Sequence, residues 1–189
     1  HDSAMQQALA AAGFDIVQPF DGAIVDPARR AGLLVGNTRA LWPRFVAARP
    51  PGPDPFDRFV ESLIDPLVPA GARVLYGHRQ YEGAFPPLQR IAVAAGLGAL
   101  SETHLVIHPI YGPWFALRAA IVMPGEPPPA VAPAPPCTCT DACRSALARA
   151  KSSSDWRDGL AVRDACWVGR TYRYTDEQTE EAEKLRDPS

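Results

Sequence analysis

The chain has 189 residues, 47% of them hydrophobic, which is enough to close one core but too short for two sizeable domains. A net charge of -2 and a pI near 6.1 lack the basic character that nucleic acid or an anionic membrane attracts, so neither partner is expected. No apolar stretch approaches the roughly 20 residues of a membrane helix and no signal-peptide pattern is visible, so the predicted location is the cytoplasm.

Helix-like and strand-like apolar spacings alternate up to residue 123. Helices are predicted where apolar residues recur three or four positions apart, and strands where short apolar runs are bounded by turn residues. Gly13 is expected to end the first helix, and Asn37 or Thr38 to cap the second. Pro86 and Pro87 suit the start of the fourth helix. The predicted helices cover residues 2–12, 39–48, 56–67 and 88–95, and the predicted strands cover residues 14–20, 31–37, 73–76 and 114–123.

A proline-rich segment, PGEPPPAVAPAPP at residues 124–136, divides the chain. Proline has no backbone N–H to donate, so this segment is predicted to be an extended connector. We expect a compact body over residues 1–123 and, over residues 137–189, a cysteine-containing arm that packs on the same domain. Within the arm a helix is predicted at 144–151, and the polar residues 180–189 are expected to fray. The alternation of elements indicates an α/β or α+β fold without internal repeats.

The segment GLGALSETHLVIHPIYGPWFALR, residues 96–118, is the most informative part of the chain. It places the turn residue His108, the flexible Gly112 and the aromatic pair Trp114 and Phe115 between two strand-like runs. Such a combination suits the binding of a flat apolar ligand. The alternative interpretation is that these aromatic residues belong to an ordinary core, which is the commoner fate of apolar strand residues.

Four segments carry a resemblance to a known family. In order along nearly the whole chain, GFDIVQPF, LLVGNTRALWPRF, VIHPIYGPWFALRAAIVMPG and RYTDEQ resemble the MMACHC (CblC) family of cobalamin-processing proteins. The run AGLGALSETHLVIHPIYGPWF also resembles the corrinoid-binding core of epoxyqueuosine reductases and reductive dehalogenases. The resemblance implies a modified nitroreductase-like α+β fold, with a mixed or antiparallel sheet flanked by helices.

The resemblance also implies a corrinoid site in the central segment. A corrin ring is a large flat apolar disc rimmed by amides, so its site needs broad apolar contact and backbone polar groups. The family's ring contacts correspond to residues 115–117 and, more loosely, to residues 101–104. Family members bind the cofactor with its lower base detached and without a histidine in its place, so His108 is expected to be structural or orienting, with cobalt ligation as the alternative. The residues predicted to bind the corrinoid are Ser101, Glu102, Thr103, His104, His108, Gly112, Trp114, Phe115, Ala116 and Leu117.

All four cysteines lie in the C-terminal arm, three of them in a Cys-x-Cys-x3-Cys run. A Thr-Asp pair is expected to cap the helix that follows, which puts Cys143 in its first turn, where the helix dipole lowers a thiol pKa. Cys139 and Cys143 are therefore predicted to be catalytic thiols that reduce cobalt, ligate it or take up its alkyl group. Alternatively, Cys137, Cys139 and Cys143 bind zinc or an iron–sulfur cluster, although the usual Cys-x2-Cys loops are missing. A structural disulfide is disfavoured in a reducing compartment.

The family resemblance implies a function and its co-substrates. Dealkylation in the family uses glutathione held by arginines, and Arg144 and Arg163 match by local sequence; solvated surface arginine is the alternative for each. The predicted protein, a monomer or homodimer, binds cobalamin base-off and removes its upper axial ligand. It does so by reductive decyanation, with electrons from a reduced flavin or partner reductase, or by thiol-dependent dealkylation. The alternatives are an iron–sulfur-assisted corrinoid reductase, a cobalamin carrier or chaperone, and a plain flavin-dependent nitroreductase.

Overall fold

Seven α-helices and six strands alternate along residues 3–186, the part of the chain that the computed structural model describes. Asp2, which the sequence-based prediction placed in the first helix, and residues 187–189 lie outside the described residues. The helices are α1 (Ala4–Ala12), α2 (Trp42–Ala48), α3 (Pro55–Ile64), α4 (Leu88–Ala94), α5 (Asp141–Lys151), α6 (Trp156–Ala165) and α7 (Asp176–Arg186). The strands are β1 (Ile16–Asp21), β2 (Ala31–Asn37), β3 (Arg73–Tyr76), β4 (Ala99–Leu100), β5 (Val106–Ile107) and β6 (Ala116–Met123).

Local chemistry sets several helix boundaries. Ser3 and Gln6 form a capping box at the start of α1, and Gly13 ends that helix in a left-handed conformation with φ of 119°. Pro55 occupies the first turn of α3, where its missing N–H costs no hydrogen bond. Thr140 caps α5 by accepting the backbone N–H of Cys143, as the sequence predicts.

The main sheet has four antiparallel strands in the order β1-β2-β6-β3. The long strands β2 and β6 form its centre, with Leu33 opposite Ile121, and a bulge lies between Val35 and Gly36. Pro19 is tolerated because β1 is an edge strand, where a missing donor need not break the ladder. A separate hairpin pairs β4 with β5.

Alternation along the central strands divides the core into two layers. Leu33 and Val35 of β2 face one layer, formed with α1, α2 and α3, whereas Leu34 faces the other, formed with α4 and the hairpin. In β6, Ala119 and Ile121 pack in the first layer, and Ala120 and Val122 pack in the second. The sheet is thus covered by helices on both faces.

The C-terminal arm is more ordered than its composition predicts. The fraying expected for residues 180–189 is wrong as far as Arg186, because α7 extends over that stretch. Leu185 packs against the first core layer and Glu181 pairs with Arg49, the residue that follows α2. An apolar anchor and an ion pair thus offset the low apolar content of α7. Helix α6 was not predicted, while residues 126–136 of the connector contain no helix or strand. No helix among residues 3–186 is both long and apolar enough to span a membrane.

Candidate functional site

A cleft of about 690 Å³ opens at the end of the main sheet where β3 ends and β6 begins. Its walls come from α3, the segment after β3, the start of α4, the β4–β5 hairpin, the start of β6 and, from the C-terminal arm, α6. The cleft is lined by Asp57, Gly77, His78, residues 86–90, Leu105, Val106, Pro113, residues 115–118 and Arg163.

The floor of the cleft is apolar. Phe115 is only 7% exposed and belongs to the second core layer, so its position is fixed by packing rather than by contacts within the cleft. Leu117 is half-buried and packs against the same layer. Leu88 of α4 and Val106 of β5 extend this floor. An apolar surface of this kind offers contact to a ligand without requiring directional partners.

Three arginines line the cleft, against one carboxylate, that of Asp57, in the lining set. Arg163 of α6 donates through Nη1 to the carbonyl oxygen of Pro113. Arg118 donates through Nε to Oδ1 of Asn37 at 2.7 Å, and its guanidinium lies 4.4 Å from the ring centroid of Phe56. Arg90 is exposed in the first turn of α4. The lining therefore carries an excess of positive charge, which favours amide oxygens, carboxylates or phosphates.

His78 lies at the edge of the cleft between two carboxylates. Its Nε2 is 2.7 Å from Oε1 of Glu61, and its Nδ1 is 3.7 Å from Oδ1 of Asp57. Arg79 also donates to both carboxylate oxygens of Glu61 at 2.7 Å. Burial alone would raise the pKa of Glu61, but the hydrogen bonds from His78 and Arg79 outweigh it and the net pKa is lowered. Glu61 thus stays ionised and holds the histidine ring in place.

His108 shapes the turn before β6. Its Nδ1 accepts the backbone N–H groups of Ile110 at 3.0 Å and Tyr111 at 3.2 Å, and its ring stacks on Tyr111 with centroids 4.5 Å apart. Burial lowers the pKa of His108, which favours the neutral ring. With Nδ1 accepting, the proton of the neutral ring resides on Nε2, and a protonated nitrogen has no lone pair for a metal.

Gly112 lies in close contact with the backbone of the C-terminal arm. Its φ is +58°, and a Cβ added there would lie 1.9 Å from the carbonyl oxygen of Val168. Gly169 faces it with φ of +70° and would place a Cβ 2.2 Å from the carbonyl carbon of Tyr111. The two glycines therefore join the turn before β6 to the arm by backbone contact, which no larger residue permits. Trp114 is 1% exposed, does not line the cleft and packs edge to face on Tyr174, with ring centroids 5.3 Å apart.

A second, much smaller cavity of about 10 Å³ lies on the other side of β5, and we call it the thiol cavity. Val106 lines the cleft, whereas its neighbour Ile107 lines the thiol cavity. On α6, Arg163 lines the cleft and its neighbour Val162 lines the thiol cavity. The thiol cavity is lined by Ser101, Thr103, Ile107, Cys137, Thr138, Cys139, Cys143, Val162, Cys166 and Trp167.

All four cysteines are free thiols at the thiol cavity. Burial would raise the pKa of Cys143, but hydrogen bonds with Thr140 reverse the shift and the net pKa is lowered. Burial, with the neighbouring thiols, raises the pKa of Cys137 to about 11. Among the described residues, no group of three or more His, Cys, Asp or Glu side chains is arranged to hold a metal ion.

The structure thus separates the residues predicted to form one site. The sequence could not reveal Asp57, His78 and Arg90 as cleft residues, because they come from segments far from the central motif. Arg118, which also lines the cleft, is the last residue of that motif but was not among the predicted site residues. Glu102 and His104 are exposed on the turn between β4 and β5, and Arg144 pairs with Glu102 at 3.1 Å and with Asp141 at 3.2 Å, outside the cleft lining. Ser101 and Thr103 line the thiol cavity. Of the predicted residues, Phe115, Ala116, Leu117 and Arg163 line the cleft.

Known proteins are similar to this chain in structure rather than in sequence. No protein-family model matches the chain, and no curated protein matches it either. The fold is of the predicted α+β class, with an antiparallel sheet flanked by helices in a nitroreductase-like arrangement. In particular it is similar to the C. elegans B12-trafficking protein CblC, a human MMACHC homologue. That similarity has a TM-score of 0.64 at 17% identity and covers 97% of this chain and 93% of that one.

Two further structures share less of the fold. The epoxyqueuosine reductase of Bacillus subtilis has a TM-score of 0.46 at 13% identity, over 76% of this chain and 52% of that one. A reductive dehalogenase described with a mechanism for B12-dependent dehalogenation has a TM-score of 0.44 at 17% identity, over 95% of this chain and 24% of that one. The predicted resemblance to CblC is therefore confirmed at the level of the fold, where the similarity to CblC extends over most of both chains.

Proposed function

We propose that the cleft binds cobalamin with its lower base detached and that the protein removes the upper axial ligand of the bound cobalamin. One observation carries this proposal: Phe115, Ala116 and Leu117 line a 690 Å³ cleft in a fold similar to that of the B12-trafficking protein CblC. The volume lies within the range of about 300–1,000 Å³ that is typical of small-molecule clefts.

The polarity of the cleft suits the two kinds of surface on a corrinoid. The apolar floor offers contact to the ring, while Gln89 and Arg90 offer donors to the carbonyl oxygens of its peripheral amides. Arg163 is held by the carbonyl of Pro113, so its guanidinium is oriented before a ligand arrives. Preorganised donors cost less conformational entropy on binding than free side chains do.

Detachment of the lower base favours removal of the upper ligand. With fewer ligands, Co(III) accepts an electron more readily, and one electron from a reduced flavin or partner reductase releases cyanide and leaves Co(II). For an alkyl ligand, a thiolate sulfur bonds to the alkyl carbon, the cobalt–carbon bond breaks and its electron pair stays on the metal as Co(I). In this proposal Arg163 binds a carboxylate of glutathione, which supplies that thiolate.

The protein's own cysteines are not required for this chemistry. Cys139 and Cys143, predicted as catalytic thiols, line the thiol cavity and not the cleft. The thiol or electron donor therefore comes from solution or from a partner. The same observation supports a second candidate function, a cobalamin carrier that passes its cargo on unchanged.

Absorbance titration with cyanocobalamin tests binding, because detachment of the lower base shifts the visible spectrum. An unshifted spectrum at saturating protein contradicts the proposal. The bound complex is then supplied with reduced flavin, and a methylcobalamin complex with glutathione. Conversion of either cobalamin supports ligand removal, whereas a shifted spectrum without conversion identifies the carrier.

A further inference from the structure

Four thiols that the cleft does not use converge on the thiol cavity. Cys139 lies between Cys137 and Cys143 in the chain, and the thiol cavity brings the three side chains to one small space. Cys143 is 4% exposed, Cys166 5% and Cys139 9%. No metal-binding group is found among the described residues, but thiols that share a buried cavity can lose two hydrogens to an oxidant and form a disulfide.

We propose that Cys139 and Cys143 are a redox modification site, in which a small peroxide converts the two thiols into a reversible disulfide. Both side chains line a cavity of only about 10 Å³, so we expect the two sulfurs to reach bonding distance by local movement alone. Cys143 is fixed in the first turn of α5, where its Sγ lies 3.5 Å from the Thr140 hydroxyl and 3.6 Å from the Ala165 carbonyl oxygen. Cys139 precedes the helix in a segment without regular structure, so it can move towards Cys143 without unwinding α5.

The size of the cavity selects the oxidant. A volume of about 10 Å³ corresponds to about one water molecule, so a bulky molecule such as glutathione disulfide does not fit. Hydrogen peroxide is close to water in size and polarity. Ser101 and Thr103 line the same cavity and offer hydroxyl groups to a small polar guest.

The reaction proceeds in two balanced steps. The Cys143 thiolate attacks one peroxide oxygen, the O–O bond breaks, and the departing hydroxide takes up a proton to leave as water, giving a sulfenic acid. The Cys139 sulfur then attacks the Cys143 sulfur, the S–O bond breaks, and a second water leaves with the Cys139 proton. Overall the two thiols lose two electrons and two protons, and the peroxide becomes two waters. An added dithiol reverses the bond by thiol–disulfide exchange.

This inference is independent of the proposed function, because it needs no corrinoid. The test uses the full chain treated with a small excess of hydrogen peroxide, quenched with catalase and alkylated after denaturation. We expect the four free thiols to fall to two and the mass to fall by two hydrogen atoms, with both changes reversed by dithiothreitol. Proteolysis before Asp141 separates Cys143 from Cys137 and Cys139, and tandem mass spectrometry of the linked fragments shows which of these two cysteines is bridged.

Matched serine variants assign the partners. Cys139→Ser and Cys143→Ser should form no bridge, whereas Cys137→Ser and Cys166→Ser should form it as the unaltered chain does. Circular dichroism checks that each variant is folded, and the linked fragments of the unaltered chain decide the matter where one is not. Four remaining thiols, a bridge to Cys137 or Cys166, or stoichiometric zinc or iron on the cysteines of the isolated protein would each overturn the proposal.

Discussion

Val106 and Ile107 are consecutive residues of β5, yet Val106 lines the large cleft and Ile107 lines the thiol cavity. Successive side chains of a strand point to opposite faces, so a strand of two residues is enough to divide the two cavities. Val162 and Arg163 repeat the division on α6. Substitutions can therefore address one cavity and leave the other intact.

The cleft floor is tested by adding bulk. Leu117→Trp places an indole where Leu117 lines the cleft, so we expect loss of cyanocobalamin binding in an absorbance titration, by about tenfold or more in Kd, or about 1.4 kcal/mol. Val46→Trp is the control, because Val46 is 45% exposed on α2 and does not line the cleft. Equal binding by the two variants would place the ligand elsewhere.

Arg163 and Arg144, the two arginines predicted to hold glutathione, should differ in effect. Arg163→Ala removes a cleft-lining guanidinium, and a lost charged hydrogen bond of about 1.5–3 kcal/mol should raise the KM for glutathione in methylcobalamin dealkylation by roughly tenfold or more. Arg144→Ala should leave that KM unchanged, since Arg144 pairs with Glu102 and Asp141 away from the cleft. A larger effect from Arg144→Ala would contradict this assignment.

The contact between Gly112 and the arm predicts a large loss of stability on adding one methyl group. Gly112→Ala combines a positive φ with a collision against the Val168 carbonyl, and we expect a cost of about 3 kcal/mol or more in the free energy of unfolding. Gly159→Ala on α6 meets no atom within 4 Å and should stabilise by up to about 1 kcal/mol through helix propensity. Urea denaturation of both variants measures the difference.

His108 predicts a loss of stability in acid. Its pKa is lowered in the folded protein, so between the folded and the ordinary value, near 6.5, the unfolded chain binds more protons. The free energy of unfolding therefore falls as the pH drops below about 6.5, at most by about 1.4 kcal/mol per pH unit for one proton. His108→Asn keeps a side-chain acceptor but cannot titrate. Urea denaturation at about pH 5 and about pH 8 should give this variant a flatter dependence, and an unchanged slope would contradict the assignment.

Much of the fold could be predicted because local signals agreed with the packing. Strands β2 and β3 have the bounds expected from their apolar runs, and Gly13 and Thr140 act at the helix ends as their chemistry indicates. Helix α7 could not be predicted from its polar composition, because its order depends on Leu185 and Glu181 contacting distant elements.

The site could be predicted only where the chain passes directly along the cleft. The run from Phe115 to Leu117 lines it, but Ser101 and Thr103 lie on the other side of β5, at the thiol cavity. The spacing of residues in the sequence does not predict on which side of so short a strand a neighbouring loop packs. Arg90 and His78 reach the cleft from separate elements, so their role depends on tertiary structure alone.

The bond between Arg163 and Pro113 spans 50 positions of the chain and closes the cleft from the C-terminal side. During synthesis, the apolar run at Phe115 therefore leaves the ribosome well before the guanidinium that borders it. A nascent chain that ends in the connector contains the apolar residues of the cleft floor but lacks Arg163. Chaperones bind exposed apolar surface, so we expect such a fragment to be retained by them more than the complete chain is.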